Sequence, residues 1–582
     1  MLQIVTKMYF REGVPLFSTD HRTVLYTNRN FLREAALELP IGQLAPSSGI
    51  DPVSTVTATV TEHLEAELPN GERSTHVATG GVDLIDDLAD VLSFALDSVF
   101  HRDSDTVRRL VPNSISDSSR SAASKIFLNT FDPARYIGDE EIAEFDRFFE
   151  RLLSLRRGHF EAAMRAIRRI VRATQWATAD QTVSYVHLVA ALESLSEDTD
   201  ADPIPWEHFD SRKRKLLEPT LDAVDAEAAK RIRDAILEAE RAGKKRRFVA
   251  FVEDNLRPSY FREEASGSRF PLRRPDLQRA LKIAYDVRSG SVHALEELPA
   301  EVMVLGERAD TVASLEFGTM ISLQGLARLA RHVVEAYVFR APVGVDGDFN
   351  WRAALPGVLQ MQAAPQYWIW NARGFNSNSA GRYFAGCVDC LVDAMAGRSD
   401  GVNDLAEVRE EIERLLPGTS DDEAKRSMLA IYALWNQIGP IDAIRPLAIQ
   451  LISDYGRLLE EPSIQSFVVS ILLGEAPDWT SQQWADLAAE RREERSKKRH
   501  LRMPPSVDAA LQAAGAVQLA ATGDAMEAQF LAANAVEELP GNAELLAWEA
   551  RVQAGEDVDI DLRTLALQLG PDAEEKPAAA QD

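Results

Sequence analysis

From Ser54 to His63 the chain reads Ser-Thr-Val-Thr-Ala-Thr-Val-Thr-Glu-His, an alternation of period two, whereas from Asp139 onward apolar residues recur at helical spacing. A strand that alternates in this way has to lay one face on a core, and helices with apolar stripes have to bury them against one another. The pattern therefore predicts an α+β protein that is mainly α. At 582 residues one hydrophobic core does not suffice, and several domains are expected. We divide the chain into a small β-rich N-terminal domain over 1–100, a linker over 101–138, a helical domain over 139–340 and a further α-helical domain over 341–500. Repeat-like helices over 505–556 and a C-terminal segment over 557–582 complete it.

Within the first hundred residues, Ile4 to Phe10, Arg22 to Thr27 and Val53 to Leu68 are rich in Val, Thr, Tyr and Phe. Turn signals at Pro69-Asn70-Gly71 and Gly80-Gly81 separate them from a helix expected over Asp83 to Phe100. The stretch Pro112 to Arg120 is rich in Ser, Asp and Asn and reads as a linker, and the alanine-rich acidic end, Pro571 to Asp582, reads as disordered.

No apolar run approaches the ~20 residues of a membrane span, and the N-terminus has no secretory pattern. The expectation is a cytoplasmic protein that does not enter a membrane. Cys387 and Cys390 form a lone C-x-x-C with no second Cys/His pair at zinc-binding spacing, so they read as small residues of a helix over Gly381 to Met395. No metal and no cofactor is expected.

The net charge of −27 argues against a nucleic-acid partner until its distribution is considered. Residues 151–300 hold 27 Lys and Arg against 24 Asp and Glu, a net of +3, so the rest of the chain carries −30. The basic residues cluster as Arg165, Arg168, Arg169 and Arg172, as Arg212 to Lys215, as Lys244, Lys245, Arg246 and Arg247, and as Arg273 and Arg274. Such runs are often only solvated helix faces, but their segregation in so acidic a chain makes RNA a candidate partner, with the first and third clusters as contacts.

Two helices in this region carry chemistry. Over Thr182 to Ser196, Glu193 sits inside an apolar pattern, where a carboxylate is costly unless paired. A later helix from Asp276 to Val287 delivers Arg288, Ser289, Gly290, Ser291 and His293. An arginine can stabilise a pentacoordinate phosphate while a histidine moves a proton, which serves phosphodiester chemistry without a metal. Five residues advance ~500° on a helix, so His293 lies ~140° from Arg288, and convergence needs unwinding at Ser289-Gly290-Ser291 or a second subunit. A long amphipathic helix over Thr311 to Val338 closes the block.

The motif Tyr285-Asp286-Val-Arg288-Ser289-Gly-Ser-Val-His293, preceded by Val189-Ala-Ala-Leu192-Glu193-Ser-Leu195, resembles the HEPN superfamily, most closely its ApeA-like branch, over residues 139–340. That resemblance implies a helical bundle that pairs as a homodimer, with Arg288 and His293 of both chains sharing one groove for metal-independent RNA cleavage. It also implies supporting roles for Glu193, Ser289, Tyr285 and Asp286, and a part in antiviral defence, as in abortive infection, or a toxin-like role. The alternative is a catalytically silent scaffold that binds protein partners. A second R-x4-H match, Arg495 to His500, lies in a charged stretch without an apolar face and is set aside.

The aromatic-rich run Phe349 to Phe384 reads as a packed junction. Leu511 to Asn542 is similar to a tetratricopeptide repeat, with Gly523-Asp524 as the turn and Ala528, Ala532 and Ala535 at the packing positions. The C-terminal helical region is thus a candidate surface for a protein partner.

Overall fold

The computed structural model of the chain describes residues 1–568 apart from 33–34, 48–52, 112–122, 198–205, 210, 242, 304–306, 357, 359–362, 400, 439–444, 476, 499 and 557. The linker run 112–120 and the tail 571–582 lie outside the described residues. The fold is mainly α with a small antiparallel sheet, and it divides into two compact units, Met1–Gln360 and Met361–Asp582.

In the first unit β1 (Leu16–Thr27), β2 (Leu37–Leu39), β3 (Gly42–Ser47), β4 (Ser54–Glu65) and β5 (Phe100–His101) form a sheet in the order β2-β3-β4-β1-β5. Strands β1 and β4 pair along their whole length, from Leu16 opposite Glu65 to Thr27 opposite Ser54. The alternation has the expected consequence: Val56, Ala58 and Val60 are buried while Thr57, Thr59 and Thr61 face the other side. Gly42 holds a positive φ where β3 begins, and a Cβ there would lie 2.0 Å from the Thr59 carbonyl oxygen of β4.

The expected strand over Ile4 to Phe10 is instead a short helix, Leu2–Val5, followed by turns. All four of its residues are buried, and the Gln3 amide donates to the carbonyls of Leu153 and Leu155, which ties this turn to the helical core.

The helices are α1 (Val82–Ala95), α2 (Asp139–Leu153), α3 (Arg157–Trp176), α4 (Gln181–Leu195), α5 (Lys244–Asp254), α6 (Arg274–His293) and α7 (Leu323–Arg340), with shorter pieces between them. Helix α4 packs on α3, α5, α6 and α7, and α1 packs on α2 and α3. One hydrophobic core runs from Leu2 to Ala341, so the sheet and the helices share their interior.

The single helix expected over Thr311 to Val338 is a hairpin followed by α7. Strands β6 (Thr311–Ser314) and β7 (Gly318–Ile321) pair, with Gly318 at positive φ where β7 begins. Ser322 then caps α7 by accepting from the Gly325 amide at 2.9 Å, and this local bond outweighs the continuous apolar pattern.

The second unit is helical, with its own core from Ile369 to Ala566. It contains α8 (Ala380–Met395), α9 (Asp422–Ile438), α10 (Ile464–Leu473), α11 (Ser481–Ser496), α12 (Pro505–Thr522), α13 (Ala525–Glu538) and α14 (Ala543–Gln553). Cys387 is buried and Cys390 half-buried on α8, and burial raises both thiol pKa values. Of the aromatic-rich run, Trp351, Phe375, Tyr383 and Phe384 are buried, whereas Tyr367 and Trp370 are exposed. Helices α12 and α13 form a packed hairpin: Gly523 takes the left-handed conformation at the turn, and Ala528, Ala532 and Ala535 are buried against the neighbour. No helix among the described residues is long and apolar enough to cross a membrane.

Candidate phosphate-binding cleft

Helix α3 places Arg165, Arg168, Arg169 and Arg172 at i, i+3, i+4 and i+7, which is one helical face. The opposite face buries Phe160, Met164, Ile167 and Val171. Helix α4, started by Asp180 accepting from the Val183 amide at 2.9 Å, sets Ala190, Glu193 and Ser194 beside that arginine face. The arginine face of α3, this face of α4, Arg288 of α6, and Lys244 and Arg247 of α5 together line a cleft of about 830 Å³.

The cationic wall is unevenly neutralised. Arg168 pairs with Asp87 of α1, Arg247 donates to the Glu197 carbonyl, and Arg169 lies 3.3 Å from Nδ1 of His187. Arg165, Arg172 and Lys244 form no hydrogen bond or ion pair among the described residues. His187 stands one turn before Ala190 on α4. Burial, then Arg169 and Arg172, lower its pKa and favour the neutral ring. Asp90 of α1 has its pKa pushed up to about 7 by burial and by Asp87, against the opposing pull of Arg168 and Arg172.

Helix α6 buries Leu277, Ala280, Leu281 and Ala284 and so turns Tyr285 and Arg288 toward α4. Glu193 is the hub of this contact. Its Oε2 lies 2.8 Å from Arg288, and its Oε1 accepts from the Tyr285 hydroxyl at 3.1 Å. The side chains of Arg288 and Glu193 are only 20% and 15% exposed, so the carboxylate inside an apolar pattern is offset by a cation and a hydroxyl. Burial first, and then the Glu193 charge, raise the Tyr285 pKa.

The helix does not unwind at Ser289-Gly290-Ser291. It continues to His293, where the Ala294 amide donates to Gly290 at 2.8 Å, and Leu295 follows in the left-handed region. With regular geometry, His293 shares a face with Asp286 rather than with Arg288. The His293 ring is exposed, lies outside the cleft wall, and makes no hydrogen bond among the described residues. One chain therefore presents Arg288 inside the cleft and His293 outside it. Ser289 is half-buried beside Arg288 and is not part of the cleft wall.

The basic run of α5 divides by helical phase. Lys244 and Arg247, three residues apart, reach the cleft; Lys245 pairs with Asp286 at 2.5 Å, and Arg246 lies outside the wall. His187 is the feature that sequence reasoning missed, although its place three residues before Ala190 and seven before Ser194 put it on the cleft face of α4.

The second R-x4-H match differs in its histidine, which is bound to a carbonyl, while its arginine, like Arg288, is held by a carboxylate. Arg491, Arg492 and Arg495 of α11 are each held by a carboxylate: Asp508, Glu537 and Glu538 respectively. His500 turns Nδ1 to the Lys497 carbonyl at 2.9 Å. Compared with known proteins, the chain matches no family model, no curated relative and no solved structure.

Proposed function

We propose that the chain is a metal-independent endoribonuclease of HEPN type, acting in antiviral defence or in a toxin-like role, with an active site completed by a second copy of itself. The observation that carries this reading is the placement of Arg288 in the wall of a cleft rich in cations, held by Glu193 and Tyr285, while the exposed His293 faces away from it. A two-fold partner supplies what one chain lacks, and symmetric pairing is the commonest way to build such a composite site.

In this mechanism Arg288 holds the scissile phosphate and neutralises the charge that builds on its oxygens. One His293 takes the proton of the ribose 2′-hydroxyl as that oxygen attacks phosphorus. The partner's His293, protonated, gives a proton to the leaving 5′-oxygen as the P–O5′ bond breaks. The products are a 2′,3′-cyclic phosphate and a 5′-hydroxyl, with no net gain or loss of protons. Glu193 fixes the direction of the guanidinium through its ion pair.

The test follows from the nucleophile. An RNA oligonucleotide should be cut to 2′,3′-cyclic phosphate ends, and its 2′-O-methyl counterpart should be bound but left intact. Cleavage of the 2′-O-methyl strand, or products with 5′-phosphate ends, would refute the mechanism. The separation of Arg288 and His293 onto different faces within one chain also fits a silent scaffold, and such a protein would leave both oligonucleotides whole.

A further inference from the structure

A cleft that reads bases needs rings to stack on or neutral donors and acceptors aimed at base edges. Among the described residues, the wall of the α3–α4–α5–α6 cleft contains no aromatic residue, no Asn and no Gln, and its one apolar residue is Ala190. Its two serines are already committed as donors: Ser194 Oγ donates to the Ala191 carbonyl and Ser196 Oγ to the Glu193 carbonyl, each at 2.8 Å. Against the two carboxylates of the wall, Glu193 paired with Arg288 and Glu197 at the exposed edge, stand seven cationic side chains, so what it chiefly offers a ligand is positive charge.

That charge sets the cleft apart from the other large cavity of the same unit. A second cavity in the same unit, about 700 Å³, is also rich in arginine, but each of its five arginines has a carboxylate partner. Arg331 and Arg135 meet Asp97, Arg328 meets Asp310, Arg257 meets Glu335, and Arg147 meets Glu144. In the cleft, by contrast, Arg165 and Arg172 on α3 and Lys244 on α5 have no such partner among the described residues, in a chain with 91 acidic side chains to supply them. Three like charges from two helices repel one another unless an anion lies between them.

We infer that the cleft holds a nucleic-acid strand by its phosphates alone, so that the strand is selected by the path of its backbone and not by its bases. The inference rests on the reading that RNA is the substrate, and it adds that this substrate is recognised at the cleft without sequence. Arg165, Arg172 and Lys244 bind backbone phosphates that flank the one held by Arg288.

The experiment measures binding by fluorescence anisotropy with the full chain and uncleavable 2′-O-methyl oligonucleotides of A, U or C, equal in length. The three should bind within about threefold of one another, because no stacked base adds the roughly fivefold or larger preference that one aromatic contact brings. The logarithm of affinity should fall with the logarithm of salt with a slope of about −2 or steeper, at ~0.7 per neutralised phosphate for Arg165, Arg172 and Lys244. Arg165→Gln with Lys244→Gln should flatten that slope by about 1.4. Inorganic polyphosphate should compete for the same site, a readout independent of any variant.

A base preference above about tenfold, a slope flatter than about −1, an unchanged slope in the double variant, or failure of polyphosphate to compete would each overturn the inference. Because these probes are not cut, absence of nuclease activity would refute the proposed reaction while leaving this binding result standing.

Discussion

Replacing Glu193 with Gln probes the contact on which the cleft depends. The carboxylate takes an ion pair from Arg288 at 2.8 Å and a hydrogen bond from Tyr285 at 3.1 Å, and both partners of the ion pair are mostly shielded from water. Gln keeps an oxygen for the tyrosine and one neutral hydrogen bond for the arginine. What it loses is the difference between a charged and a neutral bond, about 1–2 kcal/mol. A fully exposed pair would lose less than about 1 kcal/mol. Because the chain has two compact units, local opening is a better readout than one global transition. Hydrogen exchange over 181–195 and 274–293 should accelerate by roughly 5–30-fold, the equivalent of that loss. A cycle with Arg288→Met should return a coupling of about 1–2 kcal/mol, and affinity for a 2′-O-methyl strand should rise as a negative charge leaves the cleft. Unchanged exchange together with a coupling below about 0.3 kcal/mol would show that Glu193 does not hold Arg288, and the positioning argument would fall.

Two further outcomes follow from buried charge. The pKa of Asp90 is raised from its ordinary 3.8 to about 7, so its contribution is fully present below pH ~4 and is lost as pH rises through about 7. Asp90→Asn should therefore be more stable than the wild type at pH 8, by about 2–4 kcal/mol in chemical denaturation, with the advantage vanishing near pH 4. Arg491 and Asp508 are an ion pair with side chains 2% and 3% exposed, and Arg491→Ala should cost about 3 kcal/mol, because the buried carboxylate keeps only its longer 3.5 Å contact to Arg495. The double change Arg491→Met with Asp508→Leu should recover most of that loss in the same chemical denaturation assay.

Much of the architecture was legible because period is a strong constraint. The alternation of Ser54 to His63 admits only a strand with one buried face, and the stripes of α3 and α6 admit only helices packed along Ile167 or Ala280. What misled was local. Leu2–Val5 is too short to show a period, and the hairpin over 311–321 hides in an apolar pattern that a capping serine interrupts.

The site divides along the same line. Glu193 was legible as a carboxylate in need of a partner, and the arginines of α3 as a group set apart from the apolar stripe. Composition could not show that Lys244 and Arg247 enter the cleft while Lys245 turns to Asp286, because that depends on helical phase against neighbours distant in sequence. The environment of His187 likewise arises only when α3 and α4 pack. In the second R-x4-H stretch, Arg491 occupies the buried face of α11, a place composition assigns to an apolar residue, because Asp508 waits there to receive it.

The most direct measurement of the central claim is RNA cleavage in excess EDTA by the wild type, Arg288→Ala and His293→Ala at equal chain concentration. The wild type should cut, and either substitution should lower the rate by about 10²-fold or more, the usual contribution of a proton-transfer group or an oxyanion-stabilising donor. Activity abolished by EDTA, or equal rates for all three proteins, would contradict it.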